Sequence, residues 1–345
     1  MKYHLPTQII LGGLEENIKE AVDSFGARKL LLISSVGLVD KILGCLSEYQ
    51  VSIFDKVEPN PSPETAEKAK EDCDLVIGLG GGSAMDVAKV VAKDLKKPCI
   101  EVPTTAGTGS EVSPFVAFYD RVNKKKLSLT PGFPDVALVD YKLTLTLPKE
   151  IVAVTGLDAL SQAIEAYWSI YSTPLTDVHS EKAIKLIIKN LKDSFDAKEQ
   201  AREAMSLAAL EAGLAFSQTK TTAPHSVSYP LTIFYGIPHG LACVLTLPHF
   251  LVFNYGVLEK DCADQRGAGF LKTRIEQIAG FLGEKSVQVA AEKILSLMTN
   301  MDMPTKIEFD MELVLSNGFS SERMANNPRQ VTREDLREIL EKIRI

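Results

Sequence analysis

Residues 78–89 read GLGGGSAMDVAK, and the fold follows from how that stretch has to run. Leu75–Leu79 is an apolar run of strand length; Gly80, Gly81 and Gly82 follow without a break, and Ser83 leads into a helix-like Ala84–Lys93. A buried strand that ends in glycines and turns straight into a helix presents backbone N–H groups at the helix mouth, where the dipole favours an anion. The spacing is neither GxGxxG nor a Walker A, since no GK[ST] follows, and a tight structural turn would use the same glycines. The next strand, Cys99–Val102, runs into PTTAGTGSE at 103–111, a second loop of hydroxyls and glycine. Two such loops at the carboxyl ends of successive strands describe a dinucleotide crevice.

Outward from there, QIIL (8–11), KLLLIS (29–34) and Val51–Phe54 read as further strands, with helices at Leu14–Phe25 and Glu64–Glu71 between them. Strands alternating with helices imply a doubly wound parallel sheet. From about Glu150 strand-like runs stop. Helical spacing takes over at Ile151–Trp168, Thr176–Leu191, Lys198–Phe216, Gly240–Asn254, Lys272–Leu282, Val287–Thr299 and Arg333–Lys342. The expectation is an α/β domain over 1–148 and an α-helical domain over 149–345, with Pro148 at the boundary and ligands in the cleft between two lobes.

The 345 residues are 45% hydrophobic and 24% charged, with a net charge of −7. That composition is globular and argues against a general nucleic-acid binder. Lys124, Lys125 and Lys126 form a local basic cluster that suits a phosphate or a solvated loop equally. Five cysteines include no CxxC pair, which disfavours a disulfide framework. No leader-like or membrane-length apolar run is evident, so a cytoplasmic protein without nucleic-acid or membrane partners is expected.

Metal-ligand chemistry concentrates in Thr219–His249, TKTTAPHSVSYPLTIFYGIPHGLACVLTLPH. His225 and His239 each follow a proline, and Pro224 and Pro238 fit the first turn of a helix. Two imidazoles near paired helix starts suit a divalent ion, although a lone histidine is more often a surface or capping residue. Upstream, in GLDALSQAIEAYWS (156–169), Asp158 and Gln162 lie one helical turn apart on one face. Asp158 also suits a first-turn acid, and Gln162 offers only a neutral amide. His4, His179 and His249 receive structural roles.

The segments GGGSAMDVAK, PTTAGTGSEVSP, ALVDYKLTLTLP, GLDALSQAIEAYWS and HSVSYPLTIFYGIPHG together resemble the iron-containing (group III) alcohol dehydrogenases, from PTQIILGG near the start to NPRQVTREDL near the end. The resemblance implies that family's fold, shared with dehydroquinate synthase: a Rossmann-like N-terminal domain and an all-α C-terminal one. It also implies NAD(P)H and one divalent metal, Fe²⁺ before Zn²⁺. The family's ligand positions fall on Asp158, Gln162, His225 and His239. The family usually has histidine at Gln162 and often at Tyr229. The cofactor would contact Gly81, Gly82, Ser83, Asp86, Thr104, Thr105, Thr108, Ser110 and Lys126, with Ser35 standing where many NAD-preferring relatives carry an aspartate. Both coenzymes are therefore expected, NADP(H) first.

The departures are similar to the branch that reduces phosphonoacetaldehyde to 2-hydroxyethylphosphonate. Lys220, Thr221 and Thr222 are the candidates for holding the phosphonate, the metal would polarise the carbonyl as hydride arrives, and Tyr229 would supply the proton or pack against the substrate. A broad-range alcohol or aldehyde dehydrogenase is the alternative. Less favoured are a lyase of the 3-dehydroquinate synthase kind and a non-catalytic nucleotide-binding relative. Family members suggest a homodimer or larger assembly.

Overall fold

Near-continuous burial along the apolar strands sets the architecture of the first half. The structure, a computed structural model, describes residues 3–35, 37, 39–319 and 323–345. It divides into two compact units, His4–Leu147 and Pro148–Ile345 together with Tyr3. In the first, chain order is β1 (Gln8–Leu11), α1 (Leu14–Ser24), β2 (Lys29–Ser34), α2 (Val39–Cys45), β3 (Gln50–Phe54), α3 (Pro63–Ala69), β4 (Leu75–Gly80), α4 (Gly82–Leu95), β5 (Cys99–Pro103), β6 (Val116–Asp120), β7 (Lys125–Leu129) and β8 (Val136–Val139). Six strands pair in parallel in the order β1-β8-β5-β4-β2-β3. Leu30 and Leu32 of β2 pack with Ile18 and Val22 of α1 and Ile42 of α2, whereas Leu31 and Ile33 face Ala66 of α3 and Val87 and Val91 of α4. Side chains alternate across a strand, so an unbroken apolar run is what a sheet covered on both faces requires.

Two features depart from the sequence reading. The lysine cluster is not a loop: Lys125 and Lys126 lie in β7, paired antiparallel with β6, and Lys124 turns the chain at φ 49°. Five-residue strands with charged outward positions carry little periodic signal. The four-residue β8 also escaped separate reading, yet it fills the sheet between β1 and β5.

The second unit is helical: α5 (Lys149–Trp168), α6 (Pro174–Phe195), α7 (Glu199–Thr219), α8 (Ala223–Tyr235), α9 (His239–Tyr255), α10 (Ala268–Phe281), α11 (Val287–Thr299), α12 (Met311–Gly318) and α13 (Arg333–Ile343). From Gly156 to Trp168, α5 is buried without interruption, as expected of a helix surrounded by others; α6, α7 and α9 pack around it. Pro224 does sit in the first turn of α8, but Pro238 is the N-cap of α9, one residue outside the helix. Its φ of −52° and ψ of 136° keep it extended, and His239 becomes the first helical residue. Among the described residues no helix is long and apolar enough to cross a membrane.

A buried charge cluster pins the loop after β5. The Lys89 ammonium on α4 donates to the carbonyls of Ser110, Ser113 and Phe115 at 2.9–3.0 Å. Asp86, one turn earlier, accepts from Ser110 Oγ at 2.7 Å and the Ala117 N–H at 2.8 Å. Glu111 and Glu101 are buried in the same region. Burial pushes the Glu111 carboxyl from 4.5 to about 7 and drives Glu101 well above its ordinary value. The unfolded chain releases the Glu111 proton near 4.5 and the folded chain only near 7. Stability from this group is therefore complete below 4.5 and is lost as pH rises through 7. Glu111→Gln is expected to gain stability relative to the parent between pH 5 and pH 8, read as the shift in denaturant midpoint at the two pH values.

Candidate metal centre and cofactor cradle

Asp158, Gln162 and Glu165 recur at i, i+4 and i+7 on α5, so all three share one face, and all are buried. Glu165 was not singled out from sequence, although its spacing was there to read. Its carboxylate has two jobs. Oε1 lies 2.5 Å from His225 Nδ1; Oε2 accepts the Thr222 N–H at 2.7 Å and the Thr222 hydroxyl at 2.9 Å. Trp168 Nε1 donates to that same hydroxyl at 2.9 Å. With Nδ1 engaged, the His225 ring turns Nε2 toward Asp158 Oδ1 at 3.5 Å. A histidine oriented through one nitrogen by a carboxylate while the other faces inward is the arrangement metal-binding imidazoles adopt.

His239 arrives from α9 because of Gly240. A Cβ there would meet the Val154 carbonyl oxygen at 2.1 Å and Asp158 Cβ at 2.8 Å. Only a glycine lets the start of α9 lie against α5, and that contact sets the two imidazole rings 5.4 Å apart at 75°. Tyr229 stacks parallel on His239, 6.2 Å between centroids. Cys243, one turn into α9, completes a group whose donor atoms, with those of Asp158, His225 and His239, all lie within 4.8 Å of one another.

The residues fit a cation. Asp158 Oδ1 is buried and accepts no hydrogen bond, a costly state for a carboxylate oxygen that a bound ion would relieve. Burial alone would lower the His225 pKa, but the Cys243 sulfur, the Glu165 carboxylate and Asp158 outweigh it and raise it well above the ordinary value. The pocket thus attracts positive charge. Gln162 lies beside it and turns its amide nitrogen to Asp158 Oδ2 at 3.2 Å.

The other expected positions divide. Thr222 is tied to Glu165 and Trp168, so its hydroxyl serves the His225 anchor. Thr221 is buried, and its carbonyl accepts from Asn326 at 3.0 Å. Lys220 is exposed at φ 58°, ψ 175°, a conformation that costs a non-glycine residue about 1–3 kcal/mol. In the α/β unit, Gly81 and Gly82 pack against the second loop. A Cβ at 81 would stand 3.4 Å from Thr105, and one at 82 would meet the Thr108 methyl at 2.8 Å. The glycine turn and the PTTAGTGSE loop are thereby one surface. Ser83 follows on α4, whose N-terminus has no side-chain cap. The hydroxyls of Thr104 and Thr105 have no protein partner, and Ser35 is exposed at the end of β2, its Oγ 3.5 Å from where a Gly80 Cβ would be. Open helix-mouth donors and spare hydroxyls fit a pyrophosphate. Asp86 and Ser110 bond each other instead, and Lys126 is half-buried on β7, its charge felt by Asp86.

Comparison with known proteins agrees with this chemistry. The family model described as iron-containing alcohol dehydrogenase matches residues 6–141, and the model of the C-terminal part of that family matches residues 152–344. The chain is 30% identical to the NADPH-dependent butanol dehydrogenase of Clostridium saccharobutylicum, over 99% of this chain and 97% of that protein. It is 32% identical to the phosphonoacetaldehyde reductase of Streptomyces viridochromogenes, over 77% of this chain and 75% of the other. Among solved structures, sulfoacetaldehyde reductase from Bifidobacterium kashiwanohense in complex with NAD⁺ superposes with a TM-score of 0.89 at 32% identity, covering 99% of this chain and 98% of that one.

If Glu165 orients His225 for an ion, Glu165→Gln should weaken Zn²⁺ binding roughly 10–100-fold, measured by competition with a chromophoric chelator. Gly240→Ala should separate α9 from α5. The expected result is loss of stoichiometric metal together with a lowered melting temperature.

Proposed function

The chain belongs to the iron-containing alcohol dehydrogenase family, whose members are metal- and NAD(P)-dependent oxidoreductases acting on CH–OH, and we propose that its own reaction is reduction of phosphonoacetaldehyde to 2-hydroxyethylphosphonate. The observation that carries the substrate choice is Arg323. Its guanidinium lies 5.0 Å over the Tyr229 ring, and Tyr229 is stacked on His239. A cation one ring away from His239 suits a short aldehyde with a tetrahedral oxyanion at its far end. Lys220, held in a strained conformation two residues before Thr222, is a second cation, on the segment that leads into α8. Strain of this kind concentrates at functional positions. Two relatives at 32% identity carry a phosphonate and a sulfonate acetaldehyde in their names.

The reaction balances as aldehyde, NAD(P)H and a proton giving alcohol and NAD(P)⁺. When bound, the ion supplies Lewis-acid polarisation of the carbonyl, and the reduced nicotinamide supplies the hydride. Asp158, His225 and His239 hold the site, and Glu165 keeps His225 in the tautomer whose Nε2 faces inward. Tyr229, stacked on His239, would give the proton to the product oxygen, directly or through water. In the α/β unit the glycine turn 80–82 and Thr104, Thr105 and Thr108 receive the coenzyme phosphates. Ser35 places no carboxylate beside the adenosine ribose, so both coenzymes are accepted and NADPH is preferred.

A broad-range aldehyde reductase is the second reading, favoured by the match to a butanol dehydrogenase along nearly the whole chain. NADPH consumption with phosphonoacetaldehyde, sulfoacetaldehyde, propanal and glycolaldehyde separates the two. Phosphonoacetaldehyde is expected to exceed propanal in kcat/KM by more than about ten-fold, the worth of one charge-assisted hydrogen bond, and Arg323→Met to collapse that ratio. Equal rates on all four aldehydes would leave the broad reading standing. Ser35→Asp is expected to raise the KM for NADPH at least about ten-fold relative to NADH, because like charges set together cost several kcal/mol.

A further inference from the structure

We propose that Cys243 is a ligand of the metal, taking the fourth position in place of Gln162, and that the donor set Asp158, His225, His239 and Cys243 selects a thiophilic divalent ion such as Zn²⁺. The proposal rests on the reading of the site as a metal centre and concerns which side chains hold the ion, to which the substrate carbonyl would add as a fifth ligand.

Three observations converge on the thiol. First, placement: His239 and Cys243 are four residues apart on α9, so both project from one face toward Asp158, and Gly240 fixes the helix where that face meets α5. Second, distances. With bonds of about 2.0–2.1 Å to nitrogen or oxygen and about 2.3 Å to sulfur, the edges of a tetrahedral site are about 3.3–3.6 Å. His225 Nε2 and Asp158 Oδ1 are 3.5 Å apart, and Cys243 Sγ lies 3.8 Å from His239 Nε2. Both pairs need only small adjustments to become edges of one tetrahedron. Third, the orphaned acceptor: Asp158 Oδ1 is buried, has no hydrogen bond and lies among these same donors.

Gln162 is turned to a different task. The amide nitrogen directed at Asp158 Oδ2, 3.2 Å away, is a donor and cannot bind a cation, so only its carbonyl oxygen, itself buried, could reach the ion. It steadies a ligand carboxylate, as outer partners of metal sites do. Chemistry points the same way. A neutral amide oxygen is a weak hard ligand, whereas a fully buried thiol beside a dication ionises and binds softer ions strongly. Ionised Asp158 and Cys243 with two neutral imidazoles would balance the ion's charge, which suits a site this deeply buried.

Cobalt substitution tests the assignment without relying on turnover. The purified protein is stripped with a chelator, reloaded with Co²⁺ and examined by absorption spectroscopy, alongside Cys243→Ser, Cys243→Ala and Gln162→Ala, with circular dichroism to confirm folding. Thiolate ligation gives a near-ultraviolet sulfur-to-cobalt charge-transfer band. That band is expected in the parent and in Gln162→Ala and is expected to vanish in both Cys243 variants, whose Zn²⁺ affinity should fall by more than about 100-fold, beyond the loss from an outer-sphere change. The parent spectrum alone decides even if a variant fails to fold. Stoichiometric cobalt with visible ligand-field bands but no charge-transfer band would overturn the Cys243 assignment and leave the metal centre intact. Failure of the parent to bind cobalt at all would overturn both.

Discussion

The bond between Glu165 and His225 is the constraint on which the helical unit depends. Both groups are buried, and an ionised carboxylate in such a place costs several kcal/mol unless it is hydrogen-bonded and faces positive charge. Glu165 meets the first need through Thr222 and His225. The second is met only if the neighbouring cluster carries positive charge, from an imidazolium or from an ion between Asp158, His225 and His239. The polar groups at this level form a chain, Trp168 to Thr222 to Glu165 to His225, whose Nε2 faces Asp158 Oδ1 at 3.5 Å, an oxygen that accepts no hydrogen bond. A chain of that kind is stabilising when every member is satisfied and costly when one is not. Metal binding and the rigidity of α5, α8 and α9 are therefore one problem.

Both parts of the proposed machinery are built by omitting a side chain where two elements must touch. Gly240 lets α9 reach α5, and Gly82 lets α4 begin against Thr108. In the α/β unit the glycines do not simply open space for a phosphate. They let the second loop close onto the turn, while Lys89 and Asp86 hold that loop from beneath. The cradle is thus preorganised by groups outside it.

Much of this was legible in the sequence for identifiable reasons. β2, β4 and β5 are covered on both faces, so they appear as unbroken apolar runs ending in glycine or hydroxyl-rich loops, and fold class follows from their alternation with helices. The two histidines were visible because each follows a proline within one short segment, and Asp158 because it shares a helical face with Gln162. Glu165 was equally legible by spacing, yet its role depends on a partner sixty residues away that periodicity cannot supply. Cys243 carries no ligand-spacing motif; its place is defined by three helices meeting. The β6–β7 hairpin was hidden by short strands with lysines on their outer face, and Pro238 fell one residue outside its helix because a proline at the N-cap and one in the first turn look alike in sequence.

Hydride transfer by this chain is proposed to depend on one ion held where α5, α8 and α9 bring Asp158, His225 and His239 together. The most direct test is a co-titration. Chelator-stripped protein receives increments of Zn²⁺ or Fe²⁺, and bound metal and NADPH-dependent aldehyde reduction are measured on the same samples. Activity is expected to rise linearly with bound metal and to stop rising at one ion per chain. Activity that is full in the stripped protein, or that does not follow occupancy, would contradict it.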